Sequence, residues 1–201
     1  MKQLWRRLLL LCVLVLLAAG AALYVGWQDM NRSLDAPLSL TGPELFEIAP
    51  GSSTTRIANE FAARGWIRHA LYLRIEATQA GLAARLQAGT YELLPGETPR
   101  ALLRKFAAGD VKTYAVTFVE GASFVELLAQ VSTLPGLEFE LKGATPAEVL
   151  KAIGATAEMP EGWLFPSTYH YPHRHTDREL LTRAYRQMVE VLDRHWAARA
   201  K

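Results

Sequence analysis

The feature that most constrains this chain is an uninterrupted apolar run from Leu8 to Val25. It holds eighteen residues with no charge and no strongly polar side chain, and Gly26 and Trp27 extend it to twenty. A helix of about 20 apolar residues at 1.5 Å rise each matches the ~30 Å hydrocarbon core of a bilayer. Trp5, Tyr24 and Trp27 stand at its two ends, where amphipathic rings prefer the interface. Lys2, Arg6 and Arg7 precede the run, which predicts a single-pass membrane protein with a cytoplasmic N-terminus and an exported remainder. The competing reading is a cleaved signal peptide, with Ala19-Gly20-Ala21 as an A-x-A-like site. Against cleavage, the apolar run continues through Val25. Cys12 lies inside the run and reads as a small apolar residue there.

The net charge of +2 has a location. Lys2, Arg6 and Arg7 supply +3, so the other residues sum to 2 − 3 = −1. That excludes the broad basic surface of a nucleic-acid binder. A single cysteine excludes an intramolecular disulfide framework and a multi-cysteine metal cluster. With 50% hydrophobic residues the chain is long and apolar enough for one or two folded domains.

Residues 28–42 are polar and read as a linker after the span at 1–27. Three strand-turn-helix units follow. Leu45–Ile48 leads through Pro50-Gly51-Ser52 to a helical pattern at Ile57, Phe61 and Ala62. Thr90–Leu94 leads through Pro95-Gly96 to Leu102, Leu103 and Phe106. Tyr114–Val119 leads through Glu120-Gly121 to Phe124, Leu127, Leu128 and Val131. Each unit switches from a two-residue to a three-to-four-residue apolar period. Ala70 to Ala84 reads as a further helix. The fold class is α+β, and the first two units, residues 43–112, resemble LysM-like modules, which bind cell-wall glycan. A plain α+β scaffold is the alternative for them.

Residues 113–201 form a second region. Pro146 to Ile153 predicts a short helix with Thr145 as N-cap and Pro146 at its first position. Thr176 to Ala198 predicts a long amphipathic helix, with Leu180, Leu181, Ala184, Tyr185, Met188, Leu192 and Trp196 on one stripe. Between them, Pro160 to Tyr169 carries the chemistry. Pro160 and Pro166 break helices on both sides, and Gly162 permits a tight turn after Glu161. The expectation is a structured loop holding Glu161 beside Trp163, Phe165 and Tyr169. A carboxyl among rings is poorly solvated, so its pKa is expected to rise, which suits a general acid. The three rings offer flat faces to sugars, and Ser167 and Thr168 offer hydrogen bonds. The alternative from residue types alone is a buried turn in which Glu161 caps a backbone N–H.

Glu161-Gly162-Trp163-Leu164-Phe165-Pro166-Ser167-Thr168-Tyr169, with Thr176-Asp177 and the helix through Met188, resembles the signature of the endolytic murein transglycosylases, the MltG or YceG-like family. Ala88-Gly89-Thr90-Tyr91 and Val119-Glu120-Gly121 agree in order with that family, and the resemblance covers essentially the whole chain. It implies that Glu161 is the catalytic glutamate and that peptidoglycan glycan strands are the substrate. The implied reaction cleaves the MurNAc–GlcNAc β-1,4 bond without water and leaves a 1,6-anhydroMurNAc end. Because the nucleophile is intramolecular, one carboxyl group suffices, and neither metal nor organic cofactor is needed. The location implied is the inner membrane, with the C-terminal part periplasmic.

Two departures accompany the resemblance. Ser167 stands where the family usually carries an Asp. The family's catalytic domain also continues past the long helix, with an Ile-Val-Glu-Lys-Glu-like run, whereas this sequence ends at Lys201. The expectation is a chain that stops within that domain, which leaves the activity of the 201-residue form open. The other function class is a non-catalytic, anchored glycan-binding or scaffold module that recruits peptidoglycan synthases. Among weaker constellations, His170, His173 and His175 have a spacing open to zinc, but no cysteine supports a metal site. Glu120, at a strand end, either lines the cleft of Glu161 or is a turn acid.

Overall fold

A computed structural model of the chain describes residues 2–156 and 159–199. It is mixed α/β and divides into two units, residues 1–110 and 111–201.

The first unit begins with helix α1, Lys2–Asp35. Large apolar side chains from Leu9 to Trp27 are exposed along it. The segment Leu9–Asp35 is long and apolar enough to cross a membrane. The helix does not stop at Trp27, where the linker was expected. It runs on through Asp35 because Met30 and Leu34, four residues apart, are buried against the unit. The polar residues on the same turns also find partners. Arg100 donates to both Asp35 oxygens at 2.8 and 3.0 Å and to Asn31 Oδ1 at 2.8 Å. Tyr72 donates its hydroxyl to Asp29 at 2.8 Å. Only residues after Asp35 are linker-like, and there Leu38 is buried and its N–H donates to the Glu97 carbonyl.

The rest of the unit is strand β1 (Glu44–Ile48), helices α2 (Thr54–Ala63) and α3 (Ala70–Gln79), strand β2 (Gly89–Leu93) and helix α4 (Pro99–Ala108). Strands β1 and β2 pair antiparallel, with Phe46 opposite Tyr91. Alternation buries Phe46 and Ile48 of β1 and Tyr91 and Leu93 of β2 on one shared face. Phe46 meets Phe61 edge-on at 4.8 Å and Tyr91 meets Phe106 at 4.7 Å, so an aromatic cluster centres the core. Ser53 caps α2 and Thr98 caps α4, each through its side-chain oxygen. Helix α3 is shorter than the stretch to Ala84 predicted from periodicity. After Gln79 the amides of Leu82 and Ala83 both turn back to the Ala77 carbonyl.

The second unit contains strand β3 (Thr113–Thr117), helix α5 (Phe124–Val131), strand β4 (Leu137–Glu138), helix α6 (Pro146–Ala152), strands β5 (Thr168–Pro172) and β6 (His175–Thr176), and helix α7 (Asp177–Ala198). Strands β3 and β5 pair antiparallel, and β4 pairs with β6 in parallel. Part of the expected loop is therefore strand: Tyr169 and Tyr171 point inward while Thr168 and His170 are exposed. Thr145 caps α6 with Pro146 at its first position, as predicted. Helices α5, α6 and α7 each open with a full capping box, through Ser123 and Glu126, Thr145 and Glu148, and Thr176 and Glu179. The apolar stripe of α7 is buried at Leu180, Leu181 and Ala184, whereas Leu192 and Trp196 are exposed.

Candidate active site

The segment from Pro160 to Thr168 is fixed to the second unit at several points. Gly162 takes φ +80°, which sets the turn directly after Glu161 and which other residues rarely adopt. Leu164 is buried in the core, and the Phe165 N–H donates to the Ala184 carbonyl on α7 at 3.2 Å. The Trp163 ring lies 5.9 Å from the Tyr185 ring. The Ser167 carbonyl accepts the Phe118 N–H at 2.9 Å, which carries the β3–β5 pairing one step further.

Glu161 is exposed, not enclosed by rings as the residue types suggested. Its Oε2 accepts the backbone N–H of Phe124 at 2.9 Å. Phe124 is the first residue of α5, whose opening amides have no partner within the helix. Glu161 is thus a cap supplied from outside the helix. This is the backbone-capping alternative, on an exposed rather than a buried turn. The same bond ties the Glu161 turn to the end of the loop that carries Glu120, which is itself exposed. Among the described residues Oε1 of Glu161 has no hydrogen-bond partner.

The expected sugar-facing groups divide. Trp163, Phe165 and Ser167 are half-exposed and Thr168 is exposed. The Thr168 hydroxyl pairs with that of Thr117 at 2.8 Å across the β3–β5 ladder. Tyr169 departs from expectation. It is buried against Phe118, ring centroids 5.2 Å apart, and donates its hydroxyl to the Phe165 carbonyl at 2.7 Å. Burial pushes its phenol up to about 12, with Arg183, 5.6 Å over the ring, opposing. Its role is to hold the turn from Phe165 to the strand. It has no face free for a sugar, because inward alternation along β5 sends it to the core.

The three histidines go to separate places. His170 is exposed and its carbonyl accepts from Arg183, His173 Nδ1 lies 3.3 Å from the Tyr114 hydroxyl, and His175 pairs with Glu179 at 3.0 Å. Among the described residues no three His, Cys, Asp or Glu side chains gather as a metal site. A groove of about 530 Å³ beside Phe165 is lined by Arg183, Arg186, Gln187, Glu190, Val191 and Arg194. Sequence reasoning did not find these α7 residues beside the motif, nor the Phe124 amide. Only their outward positions on the α7 helix offered a signal for the former, and a backbone amide offers none.

The YceG-like family model matches residues 46–201, which includes the whole Glu161 segment. The chain belongs to the YceG-like family. YceG is the MltG family. Among solved structures, a yceG-like protein, lmo1499 from Listeria monocytogenes, is similar at 18% identity over 79% of this chain, with a TM-score of 0.33. This YceG-like chain spans 58% of the length of that structure. No curated protein matches the sequence significantly.

Proposed function

We propose that the whole protein to which this sequence belongs is an endolytic lytic transglycosylase of peptidoglycan, with Glu161 as its general acid and base. The observation that carries this reading is the state of Glu161. It is a solvent-facing carboxylate on a fixed turn, with one oxygen held by the Phe124 amide and the other open. Such a group has a defined direction for proton transfer and room for a polymer to approach.

In the proposed reaction the Glu161 carboxyl group gives its proton to O4 of the leaving GlcNAc as the C1–O4 bond breaks. The carboxylate then takes the proton of the MurNAc C6 hydroxyl, whose oxygen bonds to C1. No water is consumed, and Glu161 ends protonated as it began. The usual pair of carboxylates that positions water or forms a glycosyl-enzyme is not required. Bound glycan would displace solvent from the exposed carboxyl group and strengthen its interactions. Trp163 and Phe165 would pack on sugar rings, with Ser167, Thr168 and Glu120 as polar contacts. The LysM-like residues 43–112 would add glycan affinity, with α1 spanning the inner membrane and the chain after it periplasmic.

The nature of the new chain ends tests this. Uncrosslinked glycan strands should acquire 1,6-anhydro ends and no new reducing ends. New reducing ends would mean hydrolysis and would remove the intramolecular mechanism.

A further inference from the structure

Beside α1, just past its apolar run, lies a cavity of about 410 Å³ in the first unit. Its walls include Arg32 and Ser33 from α1 and Trp66, Arg68 and His69 from the α2–α3 connection. Asp29 also lines it, and its carboxylate accepts the Tyr72 hydroxyl at 2.8 Å, a neutral donor that leaves its charge in place. The nearby Asp35 is held by Arg100. Arg32 and Arg68 are exposed and, among the described residues, neither has an ion-pair partner. Two arginines and a histidine therefore line one concave site, with Asp29 as the one acid among its lining residues and no ion pair between it and either arginine among the described residues.

The depth of this wall follows from helix geometry. Trp27 ends the apolar run, and an indole there sits at the edge of the hydrocarbon. Arg32 is five residues on, about 7.5 Å along the axis. The headgroup layer on each side of a bilayer is roughly 5–7 Å deep. Arg32 therefore stands at its outer boundary, and Arg68 and His69, which line the same cavity, stand at a comparable depth. Helix α1 is continuous through this level and bonded to α3 and α4, so the cavity is carried by the same helix that holds the apolar run.

We propose that this cavity binds the headgroup phosphate of an anionic phospholipid in the leaflet from which α1 emerges. The guanidinium fork matches phosphate oxygens in pairs, and the cavity has the size of a small-ligand site. Binding there seats the first unit on the bilayer and fixes its rotation about α1. The inference is independent of the transglycosylase reading and rests on α1 lying in a membrane.

The test uses the full chain in detergent micelles holding equal amounts of phosphatidylglycerol and phosphatidylcholine, read by native mass spectrometry. The expected result is one retained phosphatidylglycerol per chain, preferred about tenfold over phosphatidylcholine. That preference should vanish in the double variant Arg32→Gln, Arg68→Gln and persist in Arg85→Gln, an exposed arginine elsewhere in the unit. Equal retention of both lipids by the parent protein, or a preference that survives in the double variant, overturns the proposal. So does displacement of the lipid by inorganic phosphate at about 20 mM, which would make free phosphate the ligand. Flotation with phosphatidylcholine vesicles separates the two premises. A protein that floats without lipid preference refutes only the headgroup site, whereas one that does not float refutes the membrane position of α1 as well.

Discussion

Glu161 and Phe124 are 37 residues apart, and a carboxylate oxygen of one accepts the backbone N–H of the other at 2.9 Å. A negative group at the start of α5 is favoured by the helix dipole and satisfies an amide that the helix itself leaves free. Glu161→Gln keeps an acceptor oxygen but loses the charge that the dipole favours, and should lower the thermal midpoint of the second unit only slightly. Glu161→Ala removes the acceptor at an exposed position and should cost about 0.5–1 kcal/mol. Paired melting curves of the two variants check this. A large loss in the Gln variant would mean that the carboxylate charge, not the bond, holds the turn.

Asp177 is a structural carboxylate. It is 4% exposed and accepts the amides of Glu140 and Leu141 at 3.0 and 3.1 Å. The Arg178 amide donates to it as well, at 2.7 Å, so Asp177→Ala leaves three amides without this acceptor and should cost about 2–4 kcal/mol. Asp177→Asn keeps one acceptor oxygen and should cost less. Denaturant midpoints order the three proteins.

Arg100 joins three elements. Its guanidinium reaches Asn31 and Asp35 on α1 and Glu76 on α3. The network is only partly buried, so Arg100→Ala should cost about 1–2 kcal/mol rather than the larger figure for a fully buried pair. Hydrogen exchange should rise at residues 28–35 more than in the β1–β2 pair. Uniform change across the unit would mean that Arg100 does not specifically hold the α1 extension.

Acid should loosen the second unit. The carboxyl groups of Glu126, Glu148 and Glu179 are each held below the ordinary range, foremost by the N–H of the capping residues Ser123, Thr145 and Thr176. A depressed folded-state value contributes stability that is fully present above the unfolded value, about 4.3, and is lost as pH falls below it. The thermal midpoint should therefore drop between about pH 5 and pH 3. A triple variant with glutamine at the three positions should show a shallower slope. An equally steep slope would assign the acid sensitivity to other groups.

What could be read from residues alone was local. Thr145-Pro146 announced a capped helix, and the two-residue alternation of Leu45–Ile48 announced a half-buried strand. What escaped depended on distant partners. Residues 28–35 look like linker until Arg100, Met30 and Leu34 are seen together, because polar residues on a helix are read by what they face. Thr168–Pro172 carried strand alternation, but Pro160 and Pro166 favoured a loop reading of the segment through Tyr169. Glu161 was placed in the right turn, with its carboxylate expected inward. Residue types fix neither the direction of a side chain nor the presence of a free amide at Phe124. The same limit sent Tyr169 to the sugar when it belongs to the core.

The central claim is that Glu161 carries a non-hydrolytic cleavage of glycan strands. Its most direct test is mass spectrometry of uncrosslinked strands after incubation with the full-length protein and with its Glu161→Gln variant, both shown to be folded by circular dichroism. The expected result is 1,6-anhydro-ended fragments from the first and intact strands from the second. A folded parent protein that leaves the strands uncut, or a Gln variant that cuts them as well, would contradict it.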